Sequence, residues 1–305
     1  MPHSKTITYL LLLAAMLFWG FSYIWSKIVF KYYDPVTTIF FRLILSSILM
    51  YAGLRLFGKT EMIRRSDLKL FLLSALFNPF LYFLGENFGL KFSTPTVSAV
   101  IIATIPLFTP LVARFTLREK LPFINILGII ISFLGITVML VNKDFSFTGS
   151  WTGIGFLMFA VACAIGYTIL LKKLTVSYSP VTIILVQNVI GVVYFLPFFL
   201  VFGLRHFLSV RPTGELITSM VLLAALASSL SFVFFAMAVR QFGVSRASVF
   251  SNTIPIFTAI FSYLILSELF NVNKIAGMSI VITGVMLTQL ERIKWKGSES
   301  EIVRP

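Results

Sequence analysis

Arg42 and Glu86 are the residues of this sequence on which chemistry could turn, because each is an ionisable side chain set inside an otherwise apolar run. A charge in such a run is costly to keep, so it marks a solute path, a proton relay or a buried partner. Arg42 sits about seven residues into the run that opens at Pro35, roughly 10 Å deep at a helical rise of about 1.5 Å per residue. Glu86 sits about five residues before the end of the next run, roughly 8 Å deep. The depths agree, so the two side chains can meet. Two readings stay open: an ion pair tying the second run to the third, or contact of one or both groups with a solute or a coupling proton.

Other polar and amphipathic side chains are spread through the apolar runs: Trp19, Ser22, Tyr23, Asn78, Tyr82, Asn87, Ser98, Tyr167, Gln187, Asn188, Ser231 and Asn252. Aromatics with a few amides suit an organic solute that has both polar and apolar parts. Packing within the bundle is the alternative for each. Pro106 and Pro110 interrupt one apolar run and Pro255 another, with Asn78-Pro79 and Pro197 as weaker interruptions. Proline removes a helical hydrogen bond and bends the helix. Breaks at matched places in two halves of a chain point to a binding site or hinge. The hinge candidates are therefore Pro106, Pro110 and Pro255, and kinks that only improve packing are the other reading.

Catalytic chemistry is not expected. The two histidines, His3 and His206, lie outside the apolar runs, so no Ser/His/Asp site can form within them. No metal-binding helix motif, Cys/His cluster or phosphate-binding loop is present, and no metal or cofactor is predicted. The single cysteine, Cys163, lies in an apolar run and can form no internal disulfide.

The elements that position these residues must be membrane helices. Of the 305 residues, 58% are hydrophobic and 12% charged, and mean hydropathy is +0.97. Soluble domains average about 45–50% apolar and about 25% charged. Ten stretches qualify as spans, near 7–29, 35–57, 68–91, 96–116, 123–141, 151–171, 180–203, 215–239, 244–267 and 272–290. Turn signals separate them, among them Asp34-Pro35, Thr94-Pro95, Ser179-Pro180 and Gly243. The first stretch exceeds the apolar core of a signal peptide, and no small-residue cleavage site follows near Trp25, so it reads as a retained span.

The net charge of +14 does not indicate nucleic acid, since the basic residues fall in short clusters between the runs. With the N-terminus inside, 17 of the 25 Lys and Arg lie on the inner side and seven on the outer, with Arg42 within a span. That bias places both termini in the cytoplasm. Trp151 and Trp295 lie near span ends and read as interfacial anchors.

The two halves are related to each other. The run TIPLFT at 104–109 matches TIPIFT at 253–258, and the same offset of 149 aligns Glu119 with Glu268, Gly128 with Gly277 and Gly135 with Gly284. Pro35 falls on Pro180, and Gln187 stands where the repeat would put a second arginine. Such an ordered series implies duplication. Five spans per half is an odd number, so the halves must face opposite ways across the bilayer. The expected fold is therefore an all-α integral membrane protein: ten transmembrane helices as two inverted five-helix repeats, 1–145 and 146–290, with a basic cytoplasmic tail at 291–305. Glu119 and Glu268 then sit at equivalent helix ends on opposite faces, as caps or as gates. The four glycines put small residues on one face of spans five and ten, for packing within the chain or against a second copy.

These residues also resemble a known family. Leu17–Ser22 (LFWGFS), Phe41-Arg42-Leu43, Gly89–Ala99 (GLKFSTPTVSA), the proline at 106, Arg118–Leu121 (REKL) and the paired glycines are similar, in order and spacing, to the EamA-type family of the drug/metabolite transporter superfamily. The resemblance implies a ten-span carrier of the bacterial inner (plasma) membrane that moves amino acids, other metabolites or drug-like compounds, often outward. The expectation is a secondary transporter, an exporter working by alternating access at a central cavity. A flippase for a lipid-linked substrate on the same scaffold is the alternative. The expected partners are a small-molecule substrate, the lipid bilayer, a coupling proton and a second copy of the chain.

Overall fold

The structure, a computed structural model, describes residues 5–56, 61–108, 123–140 and 150–302. Pro110 and Glu119 fall outside the described residues, as do the side chains of Arg246 and Trp295. Among the described residues the chain forms helices joined by short turns, with no β-strand. In chain order they are α1 Lys5–Val29, α2 Pro35–Leu56, α3 Arg65–Lys91, α4 Pro95–Phe108, α5 Phe123–Leu140, α6 Trp151–Ser177, α7 Pro180–Ser209 and α8 Gly214–Phe242. Next come α9, made of Val244–Val249, a 3-10 turn Phe250–Thr253 and Ile254–Leu266, and α10, Val272–Ile302. Six of these helices, α1, α2, α3, α6, α7 and α8, are long and apolar enough to cross a membrane. Four shorter apolar helices lie in α4, α5, α9 and α10.

The turn residues act as helix starts. Asp34 Oδ1 accepts from the backbone N–H groups of Val36 at 2.9 Å and Thr37 at 3.1 Å. Thr94, Ser150, Ser179 and Thr213 cap α4, α6, α7 and α8 in the same way. Each takes up a donor that the first helical turn leaves free. Pro95 and Pro180 stand in the first turn, where a missing N–H costs nothing.

Three helices depart from regular α geometry inside their apolar length. Wider π turns occupy Leu76–Leu81 of α3, Phe199–Gly203 of α7 and Leu223–Leu230 of α8. In α3 the backbone at Asn78 is extended (φ −149°, ψ 121°), so the kink expected at Asn78-Pro79 is a full break. In α7 the irregular turn begins two residues after Pro197.

The span expected at 244–267 is not one helix, because it is interrupted at Phe250–Thr253. The physical cause is Pro255, whose ring would collide with the carbonyl of Ser251 in a continuous helix. The same geometry holds at Pro106: α4 runs regularly to Ile102 and is interrupted at Ala103-Thr104. Both interruptions lie just ahead of their prolines rather than at them. α10 continues to Ile302, so the residues from 291 to 302 of the expected basic tail are helical, and no proline interrupts them.

α5 and α10 pack along their glycines. A Cβ on Gly135 would stand 2.7 Å from Val281 N, and one on Gly277 would stand 2.6 Å from Gly135 O. Backbone therefore meets backbone here, and any larger residue would force the helices apart.

The helix ends fall into two groups of contacts. Glu215 at the start of α8 accepts from Lys31 at 3.4 Å and Tyr32 at 3.0 Å, in the α1–α2 turn. Glu268 after α9 accepts from Thr96 at the start of α4, at 2.9 Å. Tyr178 after α6 donates to Asp67 in the first turn of α3 at 2.5 Å, and Ser179 N–H donates to Glu61 at 2.8 Å. Tyr9 near the start of α1 stacks on Phe242 at the end of α8, with ring centroids 4.4 Å apart.

Candidate functional site

A partly open cavity lies among α1, α2, α3, α4, α6, α8 and α9. Its wall is made by Trp19, Ser22 and Tyr23 of α1, Arg42 of α2, and Asn78, Tyr82, Phe83 and Glu86 of α3. Ile102 and Ile105 of α4, Ala164, Tyr167 and Thr168 of α6, Phe232 and Phe235 of α8, and Ser248, Ser251 and Ile254 of α9 complete it. None of the wall residues comes from α5, α7 or α10.

Local geometry explains how the wall is set. α1 approaches α9 at Gly20, where an added Cβ would lie 2.7 Å from Phe257 Cβ, and Thr258 Oγ1 donates to Gly20 O at 3.3 Å. That approach turns Trp19 and Tyr23 inward. Trp19 Nε1 donates to Ala227 O at 3.2 Å, and its ring meets Phe232 edge-on with centroids 5.0 Å apart. In α3, Tyr82 and Glu86 are four residues apart and share one helix face. Tyr82 Oη donates to Glu86 Oε1 at 2.7 Å, and Tyr23 Oη donates to the same oxygen at 3.2 Å.

Arg42 is only 2% exposed. Its Nε donates to Ser228 Oγ at 2.8 Å, and its guanidinium carbon lies 4.3 Å from the centre of the Phe83 ring. Among the described residues no ion pair joins Arg42 to Glu86. The reading in which they tie α2 to α3 is therefore replaced by another arrangement. Each charge is held by neutral partners, and both face one aromatic cavity. A guanidinium bonded through Nε keeps its two terminal nitrogens as a fork suited to a carboxylate or another oxyanion. A carboxylate bonded through one oxygen keeps the other for an ammonium group or a proton.

Of the expected solute-binding residues, Trp19, Ser22, Tyr23, Arg42, Asn78, Tyr82, Glu86 and Tyr167 lie on the wall. Gln187 stands behind it, accepting from Tyr167 Oη at 3.3 Å and donating to Ser74 at 2.6 Å. Asn188 donates to Ser46 at 2.8 Å, and Ser231 to Leu226 O at 2.9 Å. Asn87 donates to Phe83 O at 2.9 Å, and Ser98 to Thr94 O at 2.9 Å. Asn252 is buried in the α9 break, and neither end of its amide has a partner among the described residues.

Phe83, Thr168, Phe232, Phe235, Ser248 and Ser251 were not singled out from the sequence and are on the wall. The repeat carried a signal for Ser251. Ile102 and Ser251, and likewise Ile105 and Ile254, are 149 residues apart and flank the two proline breaks.

Glu268 is not a simple helix cap. Ser267 adopts a left-handed conformation (φ 54°, ψ 34°), which turns the chain back so that Glu268 N–H reaches Ser262 O at 3.1 Å. The carboxylate then bonds Ser262, Thr96 at 2.9 Å and Lys274 at 3.0 Å, joining α9, α4 and α10. Burial works to raise its pKa, but hydrogen bonding, that from Ser262 foremost, and the Lys274 ammonium hold it below its ordinary value.

Comparison with known proteins agrees with this architecture. Two proteins of Archaeoglobus fulgidus, each described as an uncharacterized transporter, are 26% and 28% identical over 93% and 92% of this chain, and 99% and 96% of their own lengths. The uncharacterized transporter YyaM of Bacillus subtilis is 25% identical over 91% of this chain and 92% of its own. One solved crystal structure superposes with a TM-score of 0.70 at 14% identity, covering 96% of this chain and 99% of that one, a likeness of fold. The model of the EamA-like transporter family matches residues 6–141 and again 151–290. The chain is a multi-pass membrane protein and belongs to the EamA-like transporter family.

Proposed function

We propose that the protein is a secondary transporter that exports a small organic metabolite, an amino acid or drug-like compound, by alternating access at the Arg42–Glu86 cavity. The observation that carries this reading is a pair of opposite charges facing one aromatic cavity with no direct salt bridge between them among the described residues. Arg42 takes an anionic group of the solute, the aromatic wall takes its apolar body, and Glu86 takes a cationic group or the coupling proton. Outward movement across the inner membrane is the direction that resemblance to such carriers implies.

The same reading has ten spans arranged as two inverted five-helix repeats, with both termini cytoplasmic. Several features support it. The family model matches the two halves separately. The π turn of α3, moved by 149 residues, falls at 225–230, inside the π turn of α8. The helix-end contacts join only segments that this topology puts on the same face. The proline-linked interruptions of α4 and α9 both border the cavity, where a hinge would let either side open.

The test is counterflow in proteoliposomes with labelled amino acids and organic cations. Saturable exchange is expected. Arg42→Ala should reduce it about tenfold or more for an anion-bearing solute, the loss of a charge-assisted contact. Activity confined to lipid-linked substrates, or full exchange by the variant, would overturn the reading.

A further inference from the structure

In a regular α-helix each carbonyl is taken by an N–H four residues on; a π turn holds one residue more and leaves carbonyls open to other donors. In the π turn Leu223–Leu230 of α8 those carbonyls are met by side chains. Ser229 Oγ donates to Ala224 O at 2.8 Å and Asn188 Nδ2 to Ser228 O at 3.4 Å, while Leu226 O takes the backbone N–H of Ser231 and also its Oγ, at 2.9 Å. The remaining donor is Trp19 Nε1, on Ala227 O at 3.2 Å. One residue further, the Ser228 hydroxyl accepts from Arg42 Nε at 2.8 Å. Two neighbouring residues of this turn thus hold two residues of the cavity wall, one from α1 and one from α2.

We infer that the π turn of α8 is the positioning element of the solute site, with Ser228 the positioning residue that aims the Arg42 guanidinium into the cavity. The inference rests on the proposed solute reading of that cavity. With Nε anchored and the guanidinium carbon over the Phe83 ring, the plane and direction of the fork are set. Ser228 is itself locked, since its carbonyl is bonded by Asn188, which also donates to Ser46. Winding this stretch as a regular α-helix would rotate Ser228 away, because successive α-helical residues are about 100° apart. The sequence of the turn, LAALASSL, is made largely of small residues, which let α1 and α2 come this close. Ser228 does not touch solute in this scheme and acts only through Arg42.

The experiment uses the purified full chain and three small aromatic probes chosen for charge: benzoate, phenethylamine and phenylalanine. Binding to wild type, Ser228→Ala and Ser228→Thr is measured by thermal shift and by titration. Ser228→Ala should weaken benzoate and phenylalanine about five- to tenfold and leave phenethylamine unchanged, because the amine is held by Glu86. Ser228→Thr keeps the hydroxyl and should restore the anion-bearing probes. Equal weakening of all three probes, or no weakening, would overturn the positioning role while leaving the cavity reading intact. Absence of binding of every probe to the wild type would overturn both. A melting temperature for unliganded Ser228→Ala close to that of wild type confirms that the comparison is between folded proteins.

Discussion

Opposite charges that share a cavity without pairing leave each free for something else. Glu86 has two tyrosine hydroxyls on one oxygen, an arrangement that holds the carboxylate in place without supplying a counter-charge. If Glu86 carries the coupling proton, Glu86→Gln should flatten the dependence of transport on external pH while leaving the chain folded. An unchanged profile would remove it from coupling. Glu268 plays a different part at the end of the helices. Its folded-state pKa lies below the ordinary 4.5, so its contribution to stability is fully present above 4.5 and is lost as pH falls through the lowered value. Glu268→Gln should therefore lower the melting temperature at neutral pH, by an amount corresponding to about 1–3 kcal/mol. The gap to wild type should close in acid, and a gap that persisted there would show that the charge is not what matters.

Helices here are shaped by small residues where they must approach and by prolines where they must break. The α5–α10 contact is backbone against backbone, so Gly277→Leu has nowhere to put its side chain. A loss of about 3 kcal/mol or more is expected, seen as a lower melting temperature or as loss of folded protein in detergent. A variant as stable as wild type would mean that the two helices can separate freely. At the breaks, Pro106→Ala with Pro255→Ala permits continuous helix through both sites. The double variant should bind probe as before but turn over several-fold more slowly, since the hinge and not the wall is altered. Undiminished turnover would leave the prolines as packing features only. These breaks were legible in the sequence as proline positions, but their placement ahead of each proline came from the clash with the carbonyl four residues earlier. Two of the π turns carried a similar mark, Asn78-Pro79 inside that of α3 and Pro197 just ahead of that of α7. That of α8 had none, because a wider turn needs only small side chains and side-chain donors, and composition does not disclose those donors.

At the scale of the whole molecule, the proposed arrangement of two five-span halves requires the chain ends to share one face. Tags at the two termini should be reached by an impermeant reagent only after the cytoplasmic face is opened. A split result, with one tag accessible from outside, would break the inverted design and with it the alternating-access scheme. Apolar content, the rhythm of turn residues and the internal match at offset 149 were enough to read a helical membrane protein and its family from the sequence, since all three are local or additive properties of the chain. The fate of Arg42 and Glu86 was not of that kind. Their equal depth along two helices allowed an ion pair, but whether they formed one depended on rotation of α2 and α3 about their axes and on which third residues came near. Ser228, Phe83, Tyr23 and Tyr82 are the residues that came near, and among these only the Phe83 and Tyr82 positions lie close to Glu86 in sequence. The amino-acid order by itself determined the solvent, the helices and their breaks. Which side chains surround the cavity, and that its two charges form no direct salt bridge, was decided only by tertiary packing, because partners from distant helices meet there.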